Sequence, residues 1–199
     1  MDSWPKYPTV YELNAWVWLN ELSRAHGRPL TLGDVPQSEL EQLAGYAFDA
    51  VWLMGVWERS PGARRISRTN TGLLEEYRHT LPDYTVDDVV GSPYALRGYR
   101  VAAELGGDEG LARLRARLRD VGLRLVLDFV PNHMAIDHPW LVEHPERLVR
   151  GDDASLVRAP RNYFRAGEGA SSRTGATHTS TAGPTRCSST SAARRRGKP

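Results

Sequence analysis

The chain has 199 residues, 40% of them hydrophobic, with six Trp and a formal net charge of +2; this is enough to bury one core, but short of the roughly 250 residues of a complete α/β barrel. All of the positive excess lies in residues 170–199, which hold six Lys or Arg and no acid, leaving 20 basic against 24 acidic residues in 1–169, a net of −4. The part able to fold therefore offers no electrostatic case for binding nucleic acid. The one cysteine, Cys187, excludes a disulfide framework within the chain. No apolar run reaches the roughly 20 residues of a membrane span, and no signal peptide is evident, so the expected location is cytoplasmic.

In chain order, Thr9 to Leu19 is rich in β-branched and aromatic residues and predicts a strand, with Glu12 and Asn14 at alternate positions. Glu21 to Pro36 carries Gly27, Pro29, Gly33 and Pro36 and predicts a loop. Ser38 and Glu41 fit a capping box that opens a short helix, and Gly45 fits its end. Phe48 to Met54 predicts a second, buried strand. A strand, a helix and a strand in 50 residues form a βαβ unit with a right-handed crossover.

Gly55 to Gly107 predicts a long connection, mostly loop, of a kind usually functional or disordered, and Trp57, Tyr77, Tyr84, Tyr94 and Tyr99 argue against disorder throughout. Asp108 to Val121 predicts a helix, with Asp108 as N-cap, Leu111, Leu114 and Leu118 on one face, and Gly122 at its end. It leads into Leu123 to Val130, a nearly unbroken apolar run that suits a strand buried on both faces. Asp128 interrupts the run, Pro131 stops it, and Asn132 and His133 follow at the strand's C-terminal end, where parallel α/β folds bind ligands.

The string Asp128-Phe-Val-Pro-Asn132-His133, after Gly122-Leu-Arg-Leu-Val-Leu, resembles the first signature region of the α-amylase family of glycoside hydrolases, family 13. Gly91-Ser-Pro-Tyr94-Ala-Leu-Arg-Gly98-Tyr99 is similar to the family segment after strand two. The resemblance covers roughly Tyr7 to Gly169. It implies an α/β fold, a partial TIM (β/α)8 barrel. Residues 1–133 would carry strands one to three, 134–169 the start of an inserted subdomain, and 170–199 a disordered basic tail. It also implies retaining cleavage or transfer at α-glucosidic bonds of an α-glucan or oligosaccharide.

For the site, the resemblance implies that Tyr94 stacks on the sugar beside the scissile bond and that His133 hydrogen-bonds that sugar. Asp128 would hydrogen-bond within the active centre; the residues alone fit equally a structural acid held by backbone amides. Asn132 matches a residue that in many relatives gives a side-chain oxygen to structural calcium, an ion that takes six to eight oxygens. No cofactor is required for the chemistry. Gly98 stands where members often carry Asp, which removes that Asp's polar role. Trp57 fits either a sugar platform or core packing. His133, Asp137 and His138 follow no zinc spacing.

The family's reacting carboxylates lie on later strands, so this chain carries substrate-binding residues and no nucleophile or acid/base pair. It is expected to be a truncated product, inactive alone and prone to aggregate through unpaired strand edges. Over Arg173 to Ser189 a one-base shift of reading frame is compatible with an aromatic-bearing, family-like sequence. The alternative from another class is a non-catalytic carbohydrate-binding or interaction protein that keeps the half-site. A third reading, nucleic-acid binding through Arg194-Arg195-Arg196, runs against the negative charge of residues 1–169.

Overall fold

The computed structural model describes residues 4–160, 163–166, 170–173 and 186–188. In chain order the elements begin with β1 (Val10–Asn14), α1 (Ala15–Ala25), α2 (Gln37–Gly45), β2 (Ala50–Met54), β3 (Trp57–Arg59), α3 (Pro61–Thr69) and α4 (Thr71–Thr80). Then come β4 (Leu96–Val101), α5 (Gly107–Asp120), β5 (Arg124–Leu127), β6 (His133–Ala135) and α6 (Trp140–Glu143). The last are β7 (Arg150–Gly151), α7 (Asp153–Arg158), β8 (Tyr163–Ala166), β9 (Ala170–Arg173) and β10 (Arg186–Ser188). The chain divides into two units, residues 1–58 with 99–129 and residues 59–98 with 130–199. The ribbon of β3 and β4 is two-stranded. No helix among the described residues is long and apolar enough to cross a membrane.

The first unit is built on a parallel sheet in the order β1-β2-β5. Val10 to Asn14 register with Ala50 to Met54, and Ala50 to Leu53 with Arg124 to Leu127. Strands that run parallel need crossovers, and α1, α2 and α5 supply them. Their apolar faces make the core: Trp18, Leu19 and Leu22 from α1, Leu40 and Leu43 from α2, and Leu114 and Leu118 from α5 pack with Val51 and Leu53. The result is the expected α/β arrangement, an open part of a barrel and not a closed one.

Several local expectations are corrected. The expected strand over Thr9–Leu19 ends at Asn14, whose side-chain oxygen accepts from the amides of Trp16 (3.1 Å) and Val17 (3.3 Å) and starts α1. The Trp-Val-Trp run is thus helical, and α1 occupies the first part of the expected loop. Helix α2 starts at Gln37 with Pro36 as N-cap and no side-chain cap bond, so the Ser38–Glu41 box does not form. Glu41 instead accepts from Gln37 Nε2 at 3.3 Å. Gly45 lies inside α2, and the positive φ falls on Ala47 at 60°.

Helix α5 starts one residue earlier than expected, with Gly106 as N-cap at φ 97°; Asp108 turns its carboxylate to the Val101 amide, 2.9 Å away. β5 is shorter than its apolar run, and all four residues are half-buried, unlike buried Ala50, Val51 and Leu53 of β2. An outer strand is covered less than a central one, and β5 pairs only with β2 among the described residues.

In the second unit, the region expected to be mostly loop holds α3 and α4. Ser60 caps α3 by accepting from Ala63 N at 2.8 Å, with Pro61 at the first helical position. Asn70 caps α4 by accepting from Leu73 N at 3.1 Å. β6 pairs antiparallel with β10, and β7, β9 and β8 form a three-stranded sheet. Within 170–199 the described backbone is therefore strand at 170–173 and 186–188. The rest of the expected disordered tail, Arg194–Arg196 included, lies outside the described residues. So does most of the segment proposed to be read in another frame.

Candidate functional site

Two groups of the expected site residues stand in the two units. In the first unit Asp128 follows β5 directly and is 7% exposed. One carboxylate oxygen accepts from Trp52 Nε1 at 2.9 Å and the other from Gly55 N at 2.6 Å. Its carbonyl accepts from Trp57 Nε1 at 2.9 Å, and Trp16 Nε1 donates to Gly55 O at 2.9 Å. Three indoles thus tie the C-terminal end of β2 and the end of β5 into one polar clasp. A buried carboxylate needs such donors, because leaving it unpaired would cost several kcal/mol. The Trp57 ring meets Tyr99 edge-on at 5.3 Å, and Tyr99 meets exposed Phe129 at 5.9 Å.

In the second unit the structure brings Tyr94, Asn132 and His133 together. His133 opens β6, and its Nε2 lies 3.1 Å from the Tyr94 carbonyl oxygen. A carbonyl only accepts, so Nε2 is the protonated nitrogen in this contact. His133 Nδ1 faces Asn132 Nδ2 at 3.3 Å, which fits an acceptor nitrogen opposite an amide donor. Tyr94 sits in a turn whose amide donates to Ser92 Oγ at 3.2 Å. Both Tyr94 and His133 are half-buried, and Asn132 is exposed.

Asp137 and His138 serve local structure here. Asp137 accepts from Ser60 Oγ at 2.5 Å and from Gly62 N at 2.8 Å. His138 Nδ1 accepts from Trp140 N at 3.1 Å. Burial holds the His138 imidazole below its ordinary pKa, against the pull of the Asp137 and Glu143 charges, while Arg97 pushes the same way as burial. Among the described residues no three His, Cys, Asp or Glu side chains are grouped to hold a metal ion. Asn132 turns its amide nitrogen toward His133 Nδ1 at 3.3 Å.

Sequence reasoning missed the partners of Asp128 (Trp52, Gly55 and Trp57) and the Ser60–Asp137 bond. The signals available were the Ser60-Pro61 pair, which marks a helix start, and the concentration of Trp at the ends of β1 and β2. A cleft of about 740 Å³ in the second unit is lined by Leu73, Tyr77, Leu81, Tyr84 and Val89 among others. None of the expected site residues lines it.

Comparison with known proteins identifies the family of the chain. The family model "Alpha amylase, catalytic domain" matches residues 36–188, starting later than the resemblance at Tyr7 and running past Gly169. The chain is 38% identical over 133 residues to the alpha-1,4-glucan:maltose-1-phosphate maltosyltransferase of Pseudomonas aeruginosa, covering 62% of this chain and 18% of that protein. It is 29% identical over 93 residues to Maltase A1 of Drosophila melanogaster, 46% of this chain and 15% of that one. Among solved structures, the trehalose-6-phosphate hydrolase of Bacillus licheniformis superposes with a TM-score of 0.56 at 15% identity, covering 90% of this chain and 29% of that chain. Eubacterium rectale Amy13B gives a TM-score of 0.51 at 15% identity, covering 92% and 32%. The chain thus spans less than a third of the length of these relatives. A family match over most of its length, with the α/β fold shared by those enzymes, shows that the chain belongs to the alpha-amylase family, through its catalytic domain.

Proposed function

We propose that this chain supplies the substrate-binding side of an α-amylase-family site that acts on α-glucosidic bonds, as a glycoside hydrolase or transglycosylase of the retaining type. The observation that carries the reading is the 3.1 Å contact between His133 Nε2 and the Tyr94 carbonyl, which brings these two residues together. Tyr94 would stack on a glucosyl ring through the sugar's C–H face. His133 would take a sugar hydroxyl at Nδ1 in place of its 3.3 Å contact with exposed Asn132. Asp128 would fix the strand ends through Trp52 and Gly55 rather than reach the sugar directly.

Retaining cleavage needs two carboxyl groups about 5–5.5 Å apart, one as nucleophile and one as acid and base. None of the residues assigned here takes either part, so we expect no hydrolysis from this chain by itself. We take a cytoplasmic location as the default that goes with this reading.

The test is calorimetric titration of the full chain with maltoheptaose, a linear α-1,4-glucan. Saturable binding lost in both Tyr94→Ala and His133→Ala is expected. Binding that survives both changes, or none in the folded wild type, contradicts the reading. Measurable hydrolysis by the chain alone would contradict the division of labour.

A further inference from the structure

We propose that Asp137 is a positioning residue for the Tyr94–His133 pair, acting by clamping the start of α3 between the two backbone segments that carry them. The proposal rests on the reading of Tyr94 and His133 as sugar-binding residues, and goes beyond it.

The connections form a closed circuit. Asp137 takes the Ser60 hydroxyl on Oδ1 and the Gly62 amide on Oδ2. Ser60 N donates to the carbonyl of Ala95, the residue after Tyr94, at 3.1 Å. On the other side His138 N donates to the carbonyl of Ala135 at 3.1 Å, closing the turn that carries Asp137 back onto β6. β6 begins with His133, and His133 returns to the Tyr94 carbonyl. At the centre Ala63, Ala95 and Ala135 pack together with 1%, 0% and 0% exposure. Three alanines leave no side-chain length to absorb a shift, so movement of any one segment moves the others.

Two features show that the carboxylate, and not just any polar group, suits this place. Two donors converge on it from one helix N-terminus, where a negative charge is favoured. Gly62 permits the approach, because a Cβ there would stand 3.0 Å from Asp137 Oδ2 and 3.4 Å from Ile136. Asp137 touches neither Tyr94 nor His133 in any of these bonds. Its effect on a sugar would pass through the orientation of the imidazole.

A helix cap that only stabilised the fold would behave differently, and the full ¹⁵N-labelled chain separates the two cases. The readouts are the His133 ring Nε2–H signal, the melting temperature and maltoheptaose affinity, in Asp137→Ala, Asp137→Asn and Asn70→Ala. Asn70→Ala removes the α4 cap in the same unit and serves as the control. Both alanine variants should melt lower. Only Asp137→Ala should lose the bonded Nε2–H signal below the melting range and bind maltoheptaose roughly tenfold more weakly. Asp137→Asn, which keeps one acceptor oxygen, should recover part of the signal. An Asp137→Ala chain that melts lower but keeps the wild-type His133 signal would overturn the proposal. If that variant does not fold, Gly62→Ala keeps the carboxylate and displaces it, and an unchanged ring signal there overturns the proposal equally. If folded wild type binds no maltoheptaose, the sugar-binding reading fails, while the ring signal still decides whether Asp137 orients His133.

Discussion

The carboxylate of Asp128 and the imidazole of His133 follow the same strand five residues apart, yet they are held in opposite ways. Asp128 is buried, and both its oxygens are bound by donors that cannot rotate away, an indole N–H and a backbone N–H. His133 is half-buried, held by a backbone carbonyl on one nitrogen and an exposed amide on the other. The first arrangement suits a fixed frame. The second leaves a contact that a ligand hydroxyl can replace. On the reading proposed above, two residues of one motif divide into scaffold and contact, and their different hydrogen-bond partners support that division.

The largest effect should come from breaking the frame. Asp128→Ala leaves the half-buried Trp52 donor and the buried Gly55 donor without this partner, and a buried donor left so costs about 1–3 kcal/mol. Denaturant unfolding should show a loss of roughly 3 kcal/mol; a loss under 1 would mean the clasp is not a frame. Trp52→Phe removes one donor and should cost about 1–2 kcal/mol in the same measurement. Ser60→Ala, in the second unit, removes the α3 cap and one Asp137 bond, and should cost about 1–2 kcal/mol. His133→Ala should change stability by less than about 1 kcal/mol while removing maltoheptaose binding, the inverse of the Asp128 result.

The smallest effect is a pH slope. Burial holds the folded-state pKa of His138 below its ordinary value of 6.5, so the unfolded chain takes up its proton first as pH falls. Stability from this residue is full above that value and is lost as pH drops through it toward the folded-state pKa. Melting temperatures between pH 7.5 and 5.5 should fall more in wild type than in His138→Gln. Equal falls would remove the burial argument.

The parallel order of β1, β2 and β5 and the face of α5 were legible because apolar periodicity and length report burial directly. Residues whose structure depends on a partner were not. Asn14 sits inside a run of strand-forming residues, and only its two amide partners show that it ends the strand. Helix α3 has the sequence Pro-Gly-Ala-Arg-Arg-Ile-Ser-Arg-Thr, and its buried positions are Gly62, Ala63 and Ser67, which give no hydrophobic signal. The Ser38 box failed because Pro36 had already set the helix start. Of the site, the motif drew attention to Asp128, Asn132 and His133. That Asp128 would meet indoles from β2 and β3 needed the register of the sheet.

The most direct test is to follow the His133 ring nitrogens in the full chain during a maltoheptaose titration. The account predicts that Nε2–H stays bonded to the Tyr94 carbonyl while the Nδ1 resonance shifts saturably as the sugar replaces Asn132. A ring spectrum that does not change at saturating sugar would contradict the assignment of His133 and Tyr94 as the sugar-binding pair.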